Sequence, residues 1–303
     1  METLVELRHL DTLLAIAEEG SFTAAADVLA TVQSNVSEQV RRLEEELGAP
    51  LLVRGRRGAS PTEFGAVVLE RARRVRRELE AVRADLSMLQ GLQAGHASLG
   101  VVGTASRWLV PALVADLRTL APGVQLRVNE AASERLFAEV AGGELAQAVI
   151  TEPVADRRLH LEHLLDEALV GLLAERGPDV GPEPVPLGRL AEQPLILPPA
   201  DNPLRREVEA AAAADGITLA VPIEVEGIRL IADMVAAGGG VSVLPETAIP
   251  PDTPNVRRVA LAGVPRRRLG LVTARDAHLS LADRAVRDSV LRLVARQREF
   301  TTR

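Results

Sequence analysis

The 303-residue sequence predicts an N-terminal all-α unit carrying a β-hairpin wing, then one long coiled-coil linker helix, then a C-terminal α/β domain of two lobes. Three observations predict it. Apolar residues recur at helical spacing in three short blocks before the first proline, Pro50; a heptad of apolar positions runs from Val68 to Leu89; and short apolar runs alternate with helical patterns from Leu99 onward. At 47% apolar and 25% charged residues, the chain fills two ordinary cores. It has no cysteine, which removes thiol catalysis, CxxC redox chemistry and thiolate metal sites. Met1 to Glu6 show no basic or apolar leader pattern, and no stretch approaches ~20 uninterrupted apolar residues, so a soluble, cytoplasmic chain with no membrane partner is expected.

The first helix rests on Leu7, Leu10, Leu13, Leu14 and Ala17 and ends at Glu18-Glu19-Gly20. Ser21 is the expected N-cap of a second, with Phe22, Ala25, Ala26 and Leu29 on one face and small alanines that let helices approach closely. Thr31 is the expected cap of a third, in which Val36, Val40, Leu43 and Leu47 face inward and Gly48 supplies the left-handed stop.

The outward face of that third helix carries Gln33, Ser34, Ser37 and Glu38, then Arg41 and Arg42. Gln and Ser are short hydrogen-bonding groups suited to base edges, and the arginines follow where a docked helix nears the phosphate backbone. By itself such a face is also what any solvated helix presents. Leu51 to Thr62 then read as a two-stranded hairpin with Arg54, Arg56 and Arg57 around its glycine tip, fit to lie along a minor groove or phosphate ridge. Three helices and a basic hairpin at this spacing make a winged helix-turn-helix, residues 1–62. Net charge is −7, which argues against a nucleic-acid partner until its distribution is read: residues 1–37 hold one Arg against six acids, residues 38–83 eleven against eight. All 35 basic residues are Arg, planar donor forks suited to phosphate or guanine, although coding bias explains that as readily.

The order of residues resembles the LysR-type transcriptional regulators. The resemblance rests on Gly20-Ser21-Phe22-Thr23-Ala24-Ala25-Ala26, Leu29, Gln33, Val36-Ser37, Gln39-Val40, Leu43-Glu44, Leu47-Gly48, Leu51-Leu52, Arg54, Pro61-Thr62 and Gly65. Asn35, Leu52 and Val32 stand where the family commonly has a small apolar residue, Phe and Ser. The resemblance implies double-stranded DNA as partner, with Ser21, Thr23, Thr31, Gln33, Ser34, Asn35, Ser37, Glu38, Arg41, Arg42, Arg54, Arg56 and Arg57 as the expected contact set.

Thr62 is placed to cap the linker helix, residues 63–90, where Val68, Ala72, Val75, Leu79, Val82, Leu86 and Leu89 alternate spacings of four and three. The intervening positions carry mainly Arg and Glu, so no second apolar stripe is expected to bury this helix within its own domain, and a second chain is the expected partner. The resemblance implies the same, a helix that dimerises and spaces two DNA half-sites within a homodimer or homotetramer.

A glycine-containing hinge, Gln90 to His96, opens the remaining domain, residues 91–303. Strands are expected at Leu99 to Val102, Val124 to Val128, Ala146 to Ile150, Ala168 to Leu173, Leu195 to Leu197, Val221 to Val225, Val241 to Leu244 and Leu269 to Thr273. Helices are expected near Arg107 to Leu120, Ser133 to Ala141, Leu204 to Ala214, Ile228 to Ala237 and Leu281 to Arg298, in mainly parallel α/β order. If the last strand and helix return to the first set, two lobes result, one near 95–162 and 266–303 and the other near 163–265. This resembles the LysR regulatory domain and, more distantly, periplasmic binding proteins. Leu109-Val110-Pro111, Ala121-Pro122-Gly123-Val124, Gly143-Glu144-Leu145, Gln193 to Leu197 and Val235 to Pro245 carry that likeness, while Ala146-Gln147 stands where Asp-Leu is common.

Ligands of such folds go to strand carboxyl ends. Gly103-Thr104-Ala105-Ser106 is therefore the first anion-binding candidate, though its hydroxyls serve equally as helix caps. The loops at Thr151-Glu152-Pro153, Pro199-Ala200-Asp201-Asn202 and Glu226-Gly227-Ile228 complete the expected effector set of Thr104, Ala105, Ser106, Thr151, Pro199, Ala200 and Gly227. A small carboxylate is the default effector. Gly238-Gly239-Gly240 follows a helix and precedes a strand, the reverse of a phosphate loop, and reads as a helix stop. Among the five histidines only His160 and His163 are close, without the acids a metal needs, and no GxSxG, Walker or HExxH pattern occurs. Neither cofactor, metal nor catalysis is expected. The rival reading is a two-lobed binding protein or enzyme that uses its N-terminal segment only to oligomerise.

Overall fold

Apolar residues at helical spacing make α1 (Leu7–Glu19), which Gly20 closes in the left-handed region at φ 71°. In the computed structural model, residues 5–55, 58–89, 95–152, 156–249, 253–275 and 278–301 are described. Ser21 caps α2 (Phe22–Val28), its side chain accepting from Ala24 N at 3.1 Å. The third helix, α3 (Gln33–Leu47), takes Val32 and not Thr31 as N-cap; the Thr31 hydroxyl instead accepts from Asn35 Nδ2 at 3.0 Å. Val36, Val40 and Leu43 are buried as expected, whereas Leu47, the last residue of α3 and one turn beyond Leu43, is 43% exposed.

Leu51 and Leu52 donate their amides to Glu44 Oε1 at 2.7 and 3.2 Å, which fastens the start of the hairpin to α3. The hairpin pairs β1 (Leu52–Gly55) with β2 (Gly58–Pro61) antiparallel, Leu52 opposite Pro61 and Gly55 opposite Gly58. Ala59 N donates to Gly20 O at 2.7 Å, and a Cβ on Gly58 would come within 2.1 Å of that same oxygen, so only glycine lets the wing dock on the α1–α2 turn. Arg56 and Arg57 lie outside the described residues, and Arg54 is placed by its backbone in β1.

Thr62 caps α4 (Glu63–Leu89) by accepting from Gly65 N at 2.9 Å while donating to Pro50 O at 2.7 Å. The early turns of α4 correct the reading of an unbroken seam. Leu69 and Ala72 are buried against Leu13, Leu14, Leu43 and Leu51, with Val68 partly buried beside them, so Val68 and Ala72 belong to the helix's own domain. A second apolar stripe therefore exists; Leu69 projects about 120° away from Val75, outside the heptad positions. The seam proper begins at Val75 and continues through Leu79, Val82 and Leu86, each 40–53% exposed. Leu89 closes the helix by backbone placement, and Gln90 to Ala94 of the expected hinge lie outside the described residues.

The chain forms two compact units, residues 1–86 with 141–144 and the remainder. The second begins with β3 (Gly95–Val101), α5 (Gly103–Leu120), β4 (Val124–Glu130), α6 (Ser133–Ala141), β5 (Gln147–Thr151) and β6 (Leu159–Glu167). The chain then builds β7 (Leu169–Ala174), β8 (Val185–Pro186), α7 (Leu187–Ala191), β9 (Ile196–Leu197), α8 (Pro203–Ala214), β10 (Ile223–Glu224), α9 (Ile228–Ala236) and β11 (Ser242–Pro245). A 3₁₀ turn (Glu246–Ala248), β12 (Val256–Ala262), β13 (Arg267–Ala274) and α10 (Leu281–Thr301) complete it. One lobe holds a five-stranded sheet in the order β4-β3-β5-β13-β6, the other a four-stranded sheet β11-β7-β12-β8 beside the pair β10-β9.

Both sheets are mixed, not mainly parallel: β3 pairs parallel with β4 and β5, but β13 returns antiparallel between β5 and β6, and β7 lies antiparallel to β11 and β12. The reason is the double crossing, since a chain that leaves a lobe and re-enters it sends its return strand the opposite way. The edge strand β6 and the strand β12 carry alternating polar residues that the apolar-run reading passed over. Gln147 is fully buried and donates to Asp283 O at 2.9 Å, tying β5 to the start of α10.

Candidate functional site

On α3 the residues opposite Val36 and Val40 are the ones left outside: Gln33, Ser34 and Asn35 are exposed, Ser37 and Glu38 half-buried. Thr23 is exposed on α2, and the Ser21 hydroxyl is engaged as a cap. Gln39 turns inward, where its Oε1 accepts from the buried Thr12 hydroxyl of α1. Arg41 and Arg42 are exposed but occupied: Glu38 accepts from Arg41 Nη2 at 2.7 Å and from Arg42 Nε at 2.8 Å, and Arg41 also meets Glu45. These bonds, first from Arg41 and then from Arg42, hold the Glu38 carboxyl down to about 2 from its ordinary 4.5. Exposed pairs of this kind are readily exchanged for another anion, such as a phosphate.

In the second unit, the first turn of α5 is not the loop expected from the sequence. The helix starts at Gly103, with Val102 as N-cap and no side-chain cap. Ser106 donates to Glu130 Oε2 at 2.5 Å, Ala105 is fully buried, and Thr104 is buried with no hydrogen-bond partner for its hydroxyl among the described residues. The sequence overlooked this longer helix because Gly103 and Ser106 read as loop formers.

The two crossings between lobes meet at one ion pair. Glu167 ends β6, beyond the expected lobe limit near 162, and stands in register with Arg267 at the start of β13. Arg267 Nε lies 3.2 Å from Glu167 Oε1 and 3.5 Å from Glu207 Oε2 on α8, with side chains 6%, 0% and 29% exposed. Arg267 Nη2 donates to Thr151 Oγ1 at 2.5 Å, and the Thr247 hydroxyl of the 3₁₀ turn donates to Glu167. Burial pushes the Glu167 and Glu207 carboxyls up, and Arg267 beside them pulls each only part of the way back.

Around that cluster two further polar contacts among the described residues join the lobes. Arg107 of α5 donates to Ala248 O at 3.4 Å, and Arg206 of α8 reaches Glu134 of α6 at 3.0 Å. The loops after β9 and β10 leave side by side, since those strands are parallel neighbours and Val225 N donates to Leu197 O at 3.0 Å. Pro199, Ala200 and Gly227 are thereby brought together, with Arg205 Nη1 bracing the first loop through Pro198 O at 3.1 Å and Gly227 serving as N-cap of α9 at φ 104°. Thr151 and Thr104 are supplied by the other lobe; Pro153 lies outside the described residues.

Sequence reasoning missed Arg267, Glu167, Glu207 and Thr247. A signal existed for one pair: Asp166-Glu167 interrupts the apolar run Leu164 to Leu173, and Arg267 sits in Arg266-Arg267-Arg268 directly before an apolar strand. A separate groove of about 220 Å³, lined by His160, Glu162, Thr273, Arg275, Leu279 and Arg287 among others, lies along β6 and β13, and its Arg287 is paired with Glu162 at 2.5 Å. Among the described residues no helix is long and apolar enough to cross a membrane.

Comparison with known proteins agrees with this architecture. Residues 7–66 match the bacterial regulatory helix-turn-helix of the lysR family, and residues 90–295 match the LysR substrate binding domain. The chain is 30% identical over 272 residues, 88% of its length and 89% of the relative's, to the DNA-binding transcriptional dual regulator OxyR of Escherichia coli K12. It is 31% identical over 245 residues to the nitrogen assimilation regulatory protein nac of Klebsiella aerogenes, covering 80% of this chain and 79% of that one. Among solved structures, a full-length cysteine-to-aspartate OxyR from Pseudomonas aeruginosa superposes with TM-score 0.73 at 24% identity, over 95% of this chain and 98% of that one. Full-length CbnR complexed with its target DNA gives 0.56 at 22% identity, over 95% and 99%. This chain therefore belongs to the LysR family of DNA-binding transcriptional regulators, with a helix-turn-helix at its N-terminus and an effector-binding α/β domain behind it.

Proposed function

We propose that two or more copies pair along the α4 seam and read a partly palindromic DNA site, and that a small effector between the lobes of the second domain shifts their arrangement. The observation that carries this reading is the division of α3: one stripe closes the core while Gln33, Ser34 and Asn35 stand exposed at the amino-terminal end, the end that enters a major groove in this motif. In this reading Gln33, Ser34, Asn35 and Ser37 meet base edges, while Thr23, Thr31, Arg54, Arg56 and Arg57 position the module on the backbone. Arg41 and Arg42 exchange Glu38 for phosphate. The exposed stripe Val75, Leu79, Val82, Leu86 supports pairing with a second copy. Working on DNA places the protein in the cytoplasm, and its role is that of a switch without catalysis.

An effector shifts such a switch only by binding one arrangement better than another, typically by about 1–3 kcal/mol. Thr104, Thr151, Pro199, Ala200 and Gly227 border the cleft in which it would lie. The OxyR structures similar to this chain include cysteine variants, one bound to hydrogen peroxide. With no cysteine in its sequence, this chain has no thiol with which to read its own signal. Gel retardation of the DNA upstream of its gene across a salt series tests the reading: sequence-specific retardation that weakens with salt supports it, and no retardation at any salt refutes it.

A further inference from the structure

Buried polar groups normally find partners, and a concentration of those that do not marks a place where a ligand completes the set. Among the described residues, three such atoms sit on the elements that border the cleft, Thr104 Oγ1, Trp108 Nε1 and Arg267 Nη1, while Glu167 Oε1, Glu207 Oε2 and Arg267 Nε make no hydrogen bond and meet only as ion pairs at 3.2 and 3.5 Å. Thr104 and Trp108 lie one turn apart on the same face of α5, next to Arg107, whose contact with Ala248 turns that face toward the second lobe. Arg267 is oriented by its other edges, with Nε toward Glu167 and Glu207 and Nη2 on Thr151, which leaves Nη1 as the free donor of a side chain only 6% exposed.

We propose that this cleft takes a small zwitterion, an amino acid, with its carboxylate on Arg267 Nη1 and its ammonium group toward Glu207. The inference rests on the regulator reading above and names its effector class. The first two turns of α5 add partners of the right kind, since Thr104 and Trp108 supply an O–H and an N–H beside a helix amino terminus, where negative charge is favoured. A simple anion would meet Arg267 but also two carboxyl groups, and a simple cation would meet those carboxyls but also a buried guanidinium. A molecule carrying both signs complements both without adding net charge to a low-dielectric site. Glu207, the most accessible member, stands where the lobes face each other, and Arg206 beside it already bridges them.

The purified full chain, mixed in turn with each of the twenty common L-amino acids, tests this by thermal unfolding. At least one is expected to raise the midpoint by about 5 °C at hundredfold excess over its Kd. Its deaminated acid and its decarboxylated amine are expected to bind at least tenfold more weakly. Arg267→Lys, which keeps the charge but loses Nη1, is expected to weaken binding at least tenfold. If that variant fails to fold, Glu207→Gln carries the test with the same expected loss. The proposal is overturned if no amino acid shifts the midpoint, if the deaminated acid binds as tightly as the parent, or if Glu207→Gln binds unchanged. A carboxylate without an amine that both stabilises the chain and alters DNA retardation defeats the zwitterion while leaving the effector cleft standing. Loss of all DNA retardation instead defeats the regulator reading itself.

Discussion

Two clusters in this protein are built from the same groups and behave in opposite ways. On α3, Glu38 sits between Arg41 and Arg42 in water, and its carboxyl falls to about 2. Between the lobes, Arg267 sits between Glu167 and Glu207 out of water, and both carboxyls rise. Hydrogen bonding favours the charged form and desolvation opposes it, so the depth of the cluster decides which prevails. The exposed cluster is an exchangeable reserve of cations, whereas the buried one is a fixed element of the lobe crossing. That contrast suits a DNA face that must trade partners and a cleft that must hold one geometry.

The sharpest way to break the comparison is to unpair each cluster. Arg267→Met leaves two carboxyls at the lobe crossing without their cation and is expected to lower stability by about 3–5 kcal/mol in urea unfolding. Adding Glu167→Gln to it should restore a large part of the loss. An Arg267→Met protein with unchanged midpoint would mean that the lobe crossing does not depend on the pair.

Next in size, Leu79→Asp places a charge in the exposed seam of α4. It is expected to halve the particle mass by light scattering and to weaken operator binding by roughly tenfold or more, because paired half-sites bind as a unit. Ala72→Asp is expected to act differently, unfolding the N-terminal domain, since Ala72 is 1% exposed in its own core. Gln33→Ala should relax base preference by about 1–3 kcal/mol while leaving affinity for random DNA unchanged. Equal losses on operator and random DNA would remove Gln33 from the reading face.

Acid–base behaviour should separate the clusters further. A carboxyl whose folded pKa is raised binds its proton more tightly in the folded state, so its stabilisation is present below the ordinary 4.5 and is lost as pH rises through the folded value. Stability should therefore decline as pH rises above about 4.5, and Glu167→Gln should flatten the decline in urea midpoints taken from pH 5 to 8. Glu38 has the opposite sign, with stabilisation present above 4.5 and lost as pH falls toward 2, and the water around the pair screens it. The smallest expected effect is on binding: Glu38→Gln releases Arg42, leaves Arg41 with Glu45 alone, and should tighten low-salt DNA binding by about two- to fivefold with a steeper salt slope.

The elements that faced one neighbour were the legible ones. Val36, Val40 and Leu43 declared the buried side of α3, and Ser133 to Ala141 and Leu204 to Ala214 declared their helices, because a single apolar stripe at helical spacing has one physical solution. Where one helix serves two neighbours in succession, as α4 does at Leu69 and Ala72 and then at Val75 and Leu79, the pattern conceals the change of partner. Strands with alternating polarity, such as β6, were passed over for the same reason that β13 was found: only one of them is apolar along most of its length. In the cleft, Thr104 and Thr151 were reachable from the rule of strand ends. Arg267, Glu167 and Glu207 come from positions about 40 and 60 residues apart, and no local spacing encodes their meeting.

By itself the sequence determined the winged helix unit, the existence of an exposed seam, the two-lobed α/β order and the absence of thiol chemistry. These depend on local periodicity, turn residues and composition, which are properties of neighbours along the chain. Only the tertiary structure decided where the seam begins, that α5 starts at Gly103, that Glu38 holds Arg41 and Arg42, and that a guanidinium lies buried between carboxyls at the crossing of the lobes. Those outcomes depend on which surfaces lose water to one another, and desolvation is set by residues distant in sequence.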